Sequence, residues 1–329
     1  MGSVTHQLGY AEETVYGTVV PVTRPLRVLA GSGVSLKTNI LKSEGMIPAK
    51  RFPAASTASQ VARHGEGVLN FEATMTGLGL LLKTMLGTTS PTVVQQGATP
   101  AWLHTYIFGG HEKSLTIQSG IQRADTPTVV EPFTAVGCMF PGWTFSCAVD
   151  EYAKFAVDVH ARDVLDADND VETLDTLTYG AVSMFDFSMA SFTSDAVAIP
   201  QVNAFNLTMA TNMLTDRRHL GNSGMVSQPR NVWGDALTGS FEAEFVDPIH
   251  WYNDFHSNTT VALVFSVTGP IISGAHTYRL TFTMPTCKIL GDGAMINQDV
   301  PTVTVPFEVL DPPSAQALTI EYMTTDIAV

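Results

Sequence analysis

Asp166, Asp168 and Asp170 alternate along the chain in the way that opens a calcium-binding loop. The pattern then fails, because Val171 and Leu177 stand where an EF-hand requires glycine and glutamate. The stretch therefore reads as a solvated acidic linker. The nine histidines offer no better ligand set. His104 and His111 have no cysteine or carboxylate at ligand spacing, and His250 and His256 do not share one face of the helix expected there. Cys138, Cys147 and Cys287 form no CxxC pair and read as reduced thiols, with a Cys138–Cys147 bridge as the alternative. GxSxG, HExxH and phosphate-loop patterns are absent, and Gly31-Ser32-Gly33 precedes a strand, not a helix. The expectation is of no enzyme, no metal and no cofactor. Trp102, Trp143, Trp233 and Trp251 could stack on sugar rings, but two of them sit in strand- or helix-like runs, where core packing is the better reading.

The elements that would position any such residues repeat. Phe71-Glu72-Ala73 recurs as Phe241-Glu242-Ala243, and a short helix-like segment follows each copy, over 77–85 and 248–255. Val34-Ser35-Leu36-Lys37 has a counterpart in Phe205-Asn206-Leu207-Thr208. Val157-Asp158-Val159 with Asp163 echoes Val305-Pro306-Phe307 with Asp311. Four matches in one order indicate a duplicated unit. The 329 residues also give two domains at about 150 residues each. We place the units at 1–199 and 200–329.

Many short alternating runs with one helix per half predict a mainly β chain of two tandem β-sandwich units. Strands are expected at 68–74, 104–108, 114–118, 143–149, 154–161 and 180–195. In the second half they are expected at 239–246, 261–267, 278–283, 287–290, 302–309 and 318–323. Pro132, Pro141, Pro285 and Pro301 are expected between strands. Asp247 and Pro248 have the character of an N-cap and a first helical residue, and Gly87 of a helix stop. Two irregular loops remain, Asn39 to Glu66 and Thr211 to Ala236, both rich in basic residues; loops of this length are functional or interaction arms.

Charged residues are few, 15 %, and the net charge is −14, which excludes phosphate-directed nucleic-acid binding as a main role. Residues 24–63 hold seven Lys or Arg against one Glu, while residues 150–195 hold eleven acids against two bases. A basic arm of one subunit meeting an acidic face of another would use this asymmetry; an ordinary solvated surface would not need it. Residues 1–20 are too polar for a signal peptide, and no apolar run reaches the roughly 18 to 20 residues of a membrane span.

The opening segment Gly9-Tyr10-Ala11-Glu12-Glu13-Thr14-Val15-Tyr16-Gly17-Thr18 resembles that of the tail tube proteins of long-tailed bacteriophages. Val34 to Lys37, Gly67 to Glu72, Gly79 to Lys83 with Leu86-Gly87, His104 to Tyr106, Ser114 to Gln118 and Phe133 to Cys147 resemble the family in order. The second half follows more weakly. Many members carry one tube unit per chain, and this chain reads as two.

The resemblance implies a virion tail protein assembled in the host cytoplasm, in which each unit adds four strands to an inner barrel and six units close a ring. Two units per chain then give a trimeric, pseudo-hexameric ring. Rings would stack into a tube that conducts DNA without binding it. The implied partners are further copies of the chain, the tape measure protein, the tail terminator and tail-tip or baseplate proteins, with no membrane. Glu72, Glu242, Glu244, Asp158 and Glu308 are the lumen candidates, since like charge keeps DNA mobile. Lys42, Lys50, Arg51, Arg63, Arg217, Arg218 and Arg230 are the candidates for contacts between subunits or rings. The other reading is a duplicated β-sandwich that binds glycans or decorates a virion surface.

Overall fold

The computed structural model describes residues 6–46, 48, 50–168, 170, 172–244, 251–291 and 302–329. The first half contains β1 (Gln7–Glu12), β2 (Arg24–Pro25), β3 (Gly33–Lys42), β4 (Ala58–Glu72), α1 (Gly79–Met85) and β5 (Thr92–Gln95). It continues with β6 (Trp102–Ile107), β7 (Leu115–Gln122), β8 (Val130–Ala148), β9 (Lys154–Ala161) and β10 (Asp163–Asp166). β11 (Ala190–Ser194) and β12 (Val197–Ala198) close the first half, and the second contains β13 (Val202–Ala210), β14 (Met213–Leu214), β15 (Arg230–Asn231) and β16 (Ala236–Glu244). After α2 (Tyr252–Ser257) come β17 (Thr260–Ser273), β18 (His276–Ile289), β19 (Thr302–Val309) and β20 (Thr319–Thr324). The fold is mainly β, as the alternation predicts.

One layer is an antiparallel sheet in the order β3-β4-β9-β8-β13-β16-β19-β18. Its first four strands come from one half and its last four, in the same topological order, from the other. The halves join where β8 pairs with β13, from Ala148↔Ala204 to Gly142↔Ala210. The opposing layer holds β10-β8-β7-β1-β2 beside β12-β11-β17-β18-β20-β6-β5. β8 and β18 each serve both layers. β8 makes the change next to Gly137, whose φ of 65° favours a residue without Cβ, and through a register shift between Met139 and Gly142.

The two halves share one core. Phe145 of the first half meets Phe155 at a tilt at 5.0 Å and meets Phe282 and Phe265 of the second at 4.5 and 5.5 Å. Phe205 lies parallel to Phe265 at 4.4 Å, and Phe241 meets Phe192 and Trp251. Burying each of these rings is worth about 2–3 kcal/mol, so the halves stabilise one another. Leu78, at the N-cap of α1, and Leu81, Leu82 and Met85 within it are buried as expected. Gly87 follows the helix at φ 64°, with its N–H on the Thr84 carbonyl. Asp247 and Pro248 lie outside the described residues.

Several expectations need correction. The stretch from Asn39 to Glu66 is not irregular: β3 and β4 form a long hairpin whose turn region spans only 43–57. Both faces of its outer part are exposed, so no buried alternation marks it in the sequence. Pro132 and Pro141 lie inside β8 and Pro285 inside β18. Pro132 lies beyond the end of β10, which reaches only Phe133, and Pro141 and Pro285 sit at register shifts where a missing N–H is tolerated. Residues 180–195 are not one strand: Met184 and Asp186 make single bridges, and the ladder begins at Ala190. That ladder, β11, pairs with β17 of the second half.

The repeat itself is confirmed at Phe71 and Phe241 and shifted elsewhere. Phe71 pairs with Phe155 and bridges Val28, while Phe241 pairs with Val305 and Phe205. Phe155 is thus the counterpart of Val305, and Val34, which pairs with Gly67, is the counterpart of Met209, which pairs with Leu237. The sequence matches were displaced by two residues in one strand and four in the other. Both shifts are even, so the assignment of inward and outward faces survives.

Candidate functional site

The eight-stranded layer has an aromatic face and a polar face. Leu69, Phe71, Phe155, Val157, Trp143, Phe145, Phe205, Leu207, Phe241, Val305 and Phe307 are buried on the first. The residues between them carry Asn70, Thr144, Ser146, Asn206, Thr208, Ser240 and Thr304 onto the second. Glu72, Asp158, Glu242, Glu244 and Glu308 all belong to this polar face by register. It also holds Lys154, opposite Glu72, and Lys288, opposite Glu308. Small residues, long acids and few cations make a polar, net-negative face spanning both halves. Partial burial raises the Asp158 carboxyl above its ordinary pKa.

The opening segment is fixed by a buried carboxylate. Glu13 accepts hydrogen bonds from Ser114 Oγ at 2.6 Å, Thr116 Oγ1 at 3.0 Å, and the backbone N–H groups of Gly17 and Gly137, both at 2.7 Å. One side chain thus ties the N-terminal arm to β7 and to the bend of β8. Its neighbour Glu12 pairs with Lys83 of α1 at 2.6 Å. Both residues lie in the segment that carries the family resemblance, but their roles depend on partners about 70 to 124 residues away, which spacing alone does not reveal.

The basic candidates divide. Lys42, Lys50 and Arg51 lie exposed on or near the turn of the β3–β4 hairpin, and Arg230 is exposed on β15. Arg63 pairs with Asp163 of the same chain at 2.7 Å. Arg217 donates to the Gln228 carbonyl at 2.6 Å, and Arg218 pairs with Asp216 and donates to His64 Nδ1 at 3.2 Å. The loop 211–236 therefore folds onto the first half, where Gln228 also donates to the Glu112 carbonyl and Asn231 meets His111. Both loops expose large apolar side chains: Met46 (98 %) and Phe52 (83 %) on one, Leu220 and Trp233 (98 %) on the other. Trp143 and Trp251 are buried and unavailable for stacking on a ligand.

The fold also gathers residues that sequence reading did not single out. His64, Glu66 and His160 bring one ligand atom each to within 4.8 Å of one another. The sequence signal was the alternation His64-x-Glu66 along one strand face; its partner lies on another strand. Cys138, Cys147 and Cys287 are buried free thiols. Asp168 and Asp170 bond back to Asp166 in a turn after β10. No helix among the described residues is long and apolar enough to cross a membrane.

A search of curated proteins finds no match to this chain. The family model for phage tail tube proteins, by contrast, matches residues 3–309, nearly the whole of a duplicated β-sandwich chain with an acidic sheet face, and the protein belongs to the phage tail tube family.

Proposed function

We propose that three copies of this chain close a pseudo-hexameric ring, that rings stack into the tail tube, and that the acidic sheet face lines the channel for DNA. The observation that carries this reading is the β8–β13 junction. It joins two topologically equivalent four-stranded blocks edge to edge through seven residue pairs, Ala148↔Ala204 to Gly142↔Ala210. The strand equivalent to β13 in the first half is β3, and the strand equivalent to β8 in the second is β18. The outer edge of β3 has no strand partner among the described residues. An exposed ten-residue edge invites pairing with another chain. Repeating the internal junction between chains would join β3 of one copy to the Cys287–Ile289 end of β18 in the next. Thr260 and Val261 pair with Lys288 and Cys287 there, so the new ladder would start at Ile289 or displace those two residues.

The units 1–199 and 200–329 act as the two quasi-equivalent subunits, with β11 contributed to the second. Glu72, Asp158, Glu242, Glu244 and Glu308 face the lumen, where repulsion of phosphate keeps DNA moving. Lys42, Lys50 and Arg51, beside Met46 and Phe52, project from the ring toward the next one; Arg63 on β4, Arg217 and Arg218 in the loop between β14 and β15, and Arg230 on β15 support the same contacts. The tape measure protein, tail terminator and tail-tip or baseplate proteins would bind the finished tube, which assembles in the host cytoplasm. Electron microscopy with mass photometry tests the reading. Hollow rings of three 35.3 kDa chains, alone or stacked, are expected. Six-chain rings, or dimers at every concentration, would overturn the ring stoichiometry.

A further inference from the structure

β4 and β9 place Glu66 directly opposite His160, and His64 lies two residues from Glu66 on the same strand face. The His64 and His160 rings stack at 5.3 Å, and His64 Nε2 lies 2.9 Å from a Glu66 oxygen. His160 is only 7 % exposed, and its Nε2 has no hydrogen-bond partner. A buried imidazole nitrogen with no partner costs stability unless something else uses its lone pair. We propose that His64, Glu66 and His160 form a binding site for a borderline divalent cation of the zinc type.

Two imidazoles and a carboxylate are a ligand set that zinc takes, with a further position left open. Metal–ligand distances of roughly 2.0–2.2 Å require the three atoms to draw closer than 4.8 Å, which rotations of exposed Glu66 and half-buried His64 supply. The protonation states suit a cation. Burial lowers the His160 pKa to about 4, with smaller effects from His64 and Arg218, so the ring is neutral near pH 7. The hydrogen bond from His64 lowers the Glu66 pKa, so its carboxylate is ionised.

Arg218 is the competing group. It donates to His64 Nδ1, which leaves the proton of that ring on Nε2 and directs it at Glu66. A metal on Nε2 moves that proton to Nδ1 and expels the guanidinium. The cation would thus pin β4 to β9 at the root of the hairpin and release the loop that carries Arg218. The site stands independently of ring formation.

Zinc titration of the full-length chain by calorimetry tests this, with cobalt absorption reporting tetrahedral coordination. One zinc per chain is expected. Glu66→Gln, an exposed substitution that leaves folding intact by circular dichroism, should weaken binding roughly tenfold or more, as should His160→Gln. Arg218→Ala should tighten it. Absence of stoichiometric zinc, or an affinity unchanged in both ligand variants, would overturn the site; weaker binding in Arg218→Ala would overturn the competition.

Discussion

Glu13 shows how a single residue can fix a fold at long range. Four donors converge on its carboxylate, and three of them, Ser114 Oγ, Thr116 Oγ1 and the Gly137 N–H, are buried. Glu13→Ala orphans all four, and buried polar groups without partners cost about 1–3 kcal/mol each before relaxation or water entry. We expect a loss of about 3 kcal/mol in urea denaturation, with Glu13→Gln losing less because one carbonyl oxygen remains. A stability unchanged in the alanine variant would remove Glu13 from this role. His160 sets a pH dependence of the opposite origin. Its ring is held neutral in the folded chain, with a pKa near 4 against 6.5 for the free side chain. The unfolded chain therefore binds the proton more readily. The stability this contributes is complete above pH 6.5 and is lost as pH falls toward 4. The facing groups are His64, Glu66 and Arg218, so His160→Asn should flatten the metal-free stability curve between pH 6.5 and 4, as followed by thermal melts. The inward and outward placement of side chains was legible in the sequence, because alternation fixed Phe71 against Glu72 and Phe241 against Glu242. The partners of Glu13 and the convergence of His64 with His160 were not, because each depends on which strands become neighbours.

At the scale of elements, the β3–β4 hairpin was the hardest to read and is the most informative about assembly. Its outer strands are exposed on both faces, so burial leaves no period of two, and Pro48 and Pro53 near its turn suggest a loop. The core strands β9 and β19, by contrast, were legible to the residue, because each has one buried and one wet face. A hairpin carrying Leu36, Ile40, Leu41, Met46 and Phe52 into solvent holds more apolar surface than an isolated monomer needs. Met46→Ser with Phe52→Ser changes no core contact and should leave the melting temperature within a degree or two, since surface changes are worth about 0.5 kcal/mol or less. Rings should still close, while stacking into tubes falls by about tenfold or more, the equivalent of about 1.4 kcal/mol per contact. Sedimentation of the variant against the parent separates the two steps. Tubes of normal length from the double variant would move the stacking contact elsewhere, with Leu220 and Trp233 as the next surface to test.

The whole molecule is two blocks of one topology sharing a core, and its net charge of −14 is partly concentrated on one face of the joined sheet. Composition showed the sign of that charge, and strand parity showed which acids lie together; the continuity of the face across both halves required the β8–β13 pairing, which joins strands far apart in the chain. This arrangement separates the mechanics of the sheet from its electrostatics. Phe145, Phe205 and Phe265 hold the halves together on one side, while Glu72, Glu242 and Glu308 on the other contribute little to packing. Replacing those three with lysine should therefore leave rings and tubes intact by microscopy. In an assembled virion, however, it would put three added cations on each chain, nine in each ring of the proposed trimer, and phosphate contacts would release counterions and hold the DNA. Ejection should slow most at low salt and recover as salt rises, because screening shortens the reach of each charge. Replacing the same acids with glutamine should give a smaller and less salt-dependent change. If the lysine tubes eject DNA at the parental rate at every ionic strength, the acidic face does not line the channel, and the sheet must be turned so that its polar side meets solvent or an outer partner.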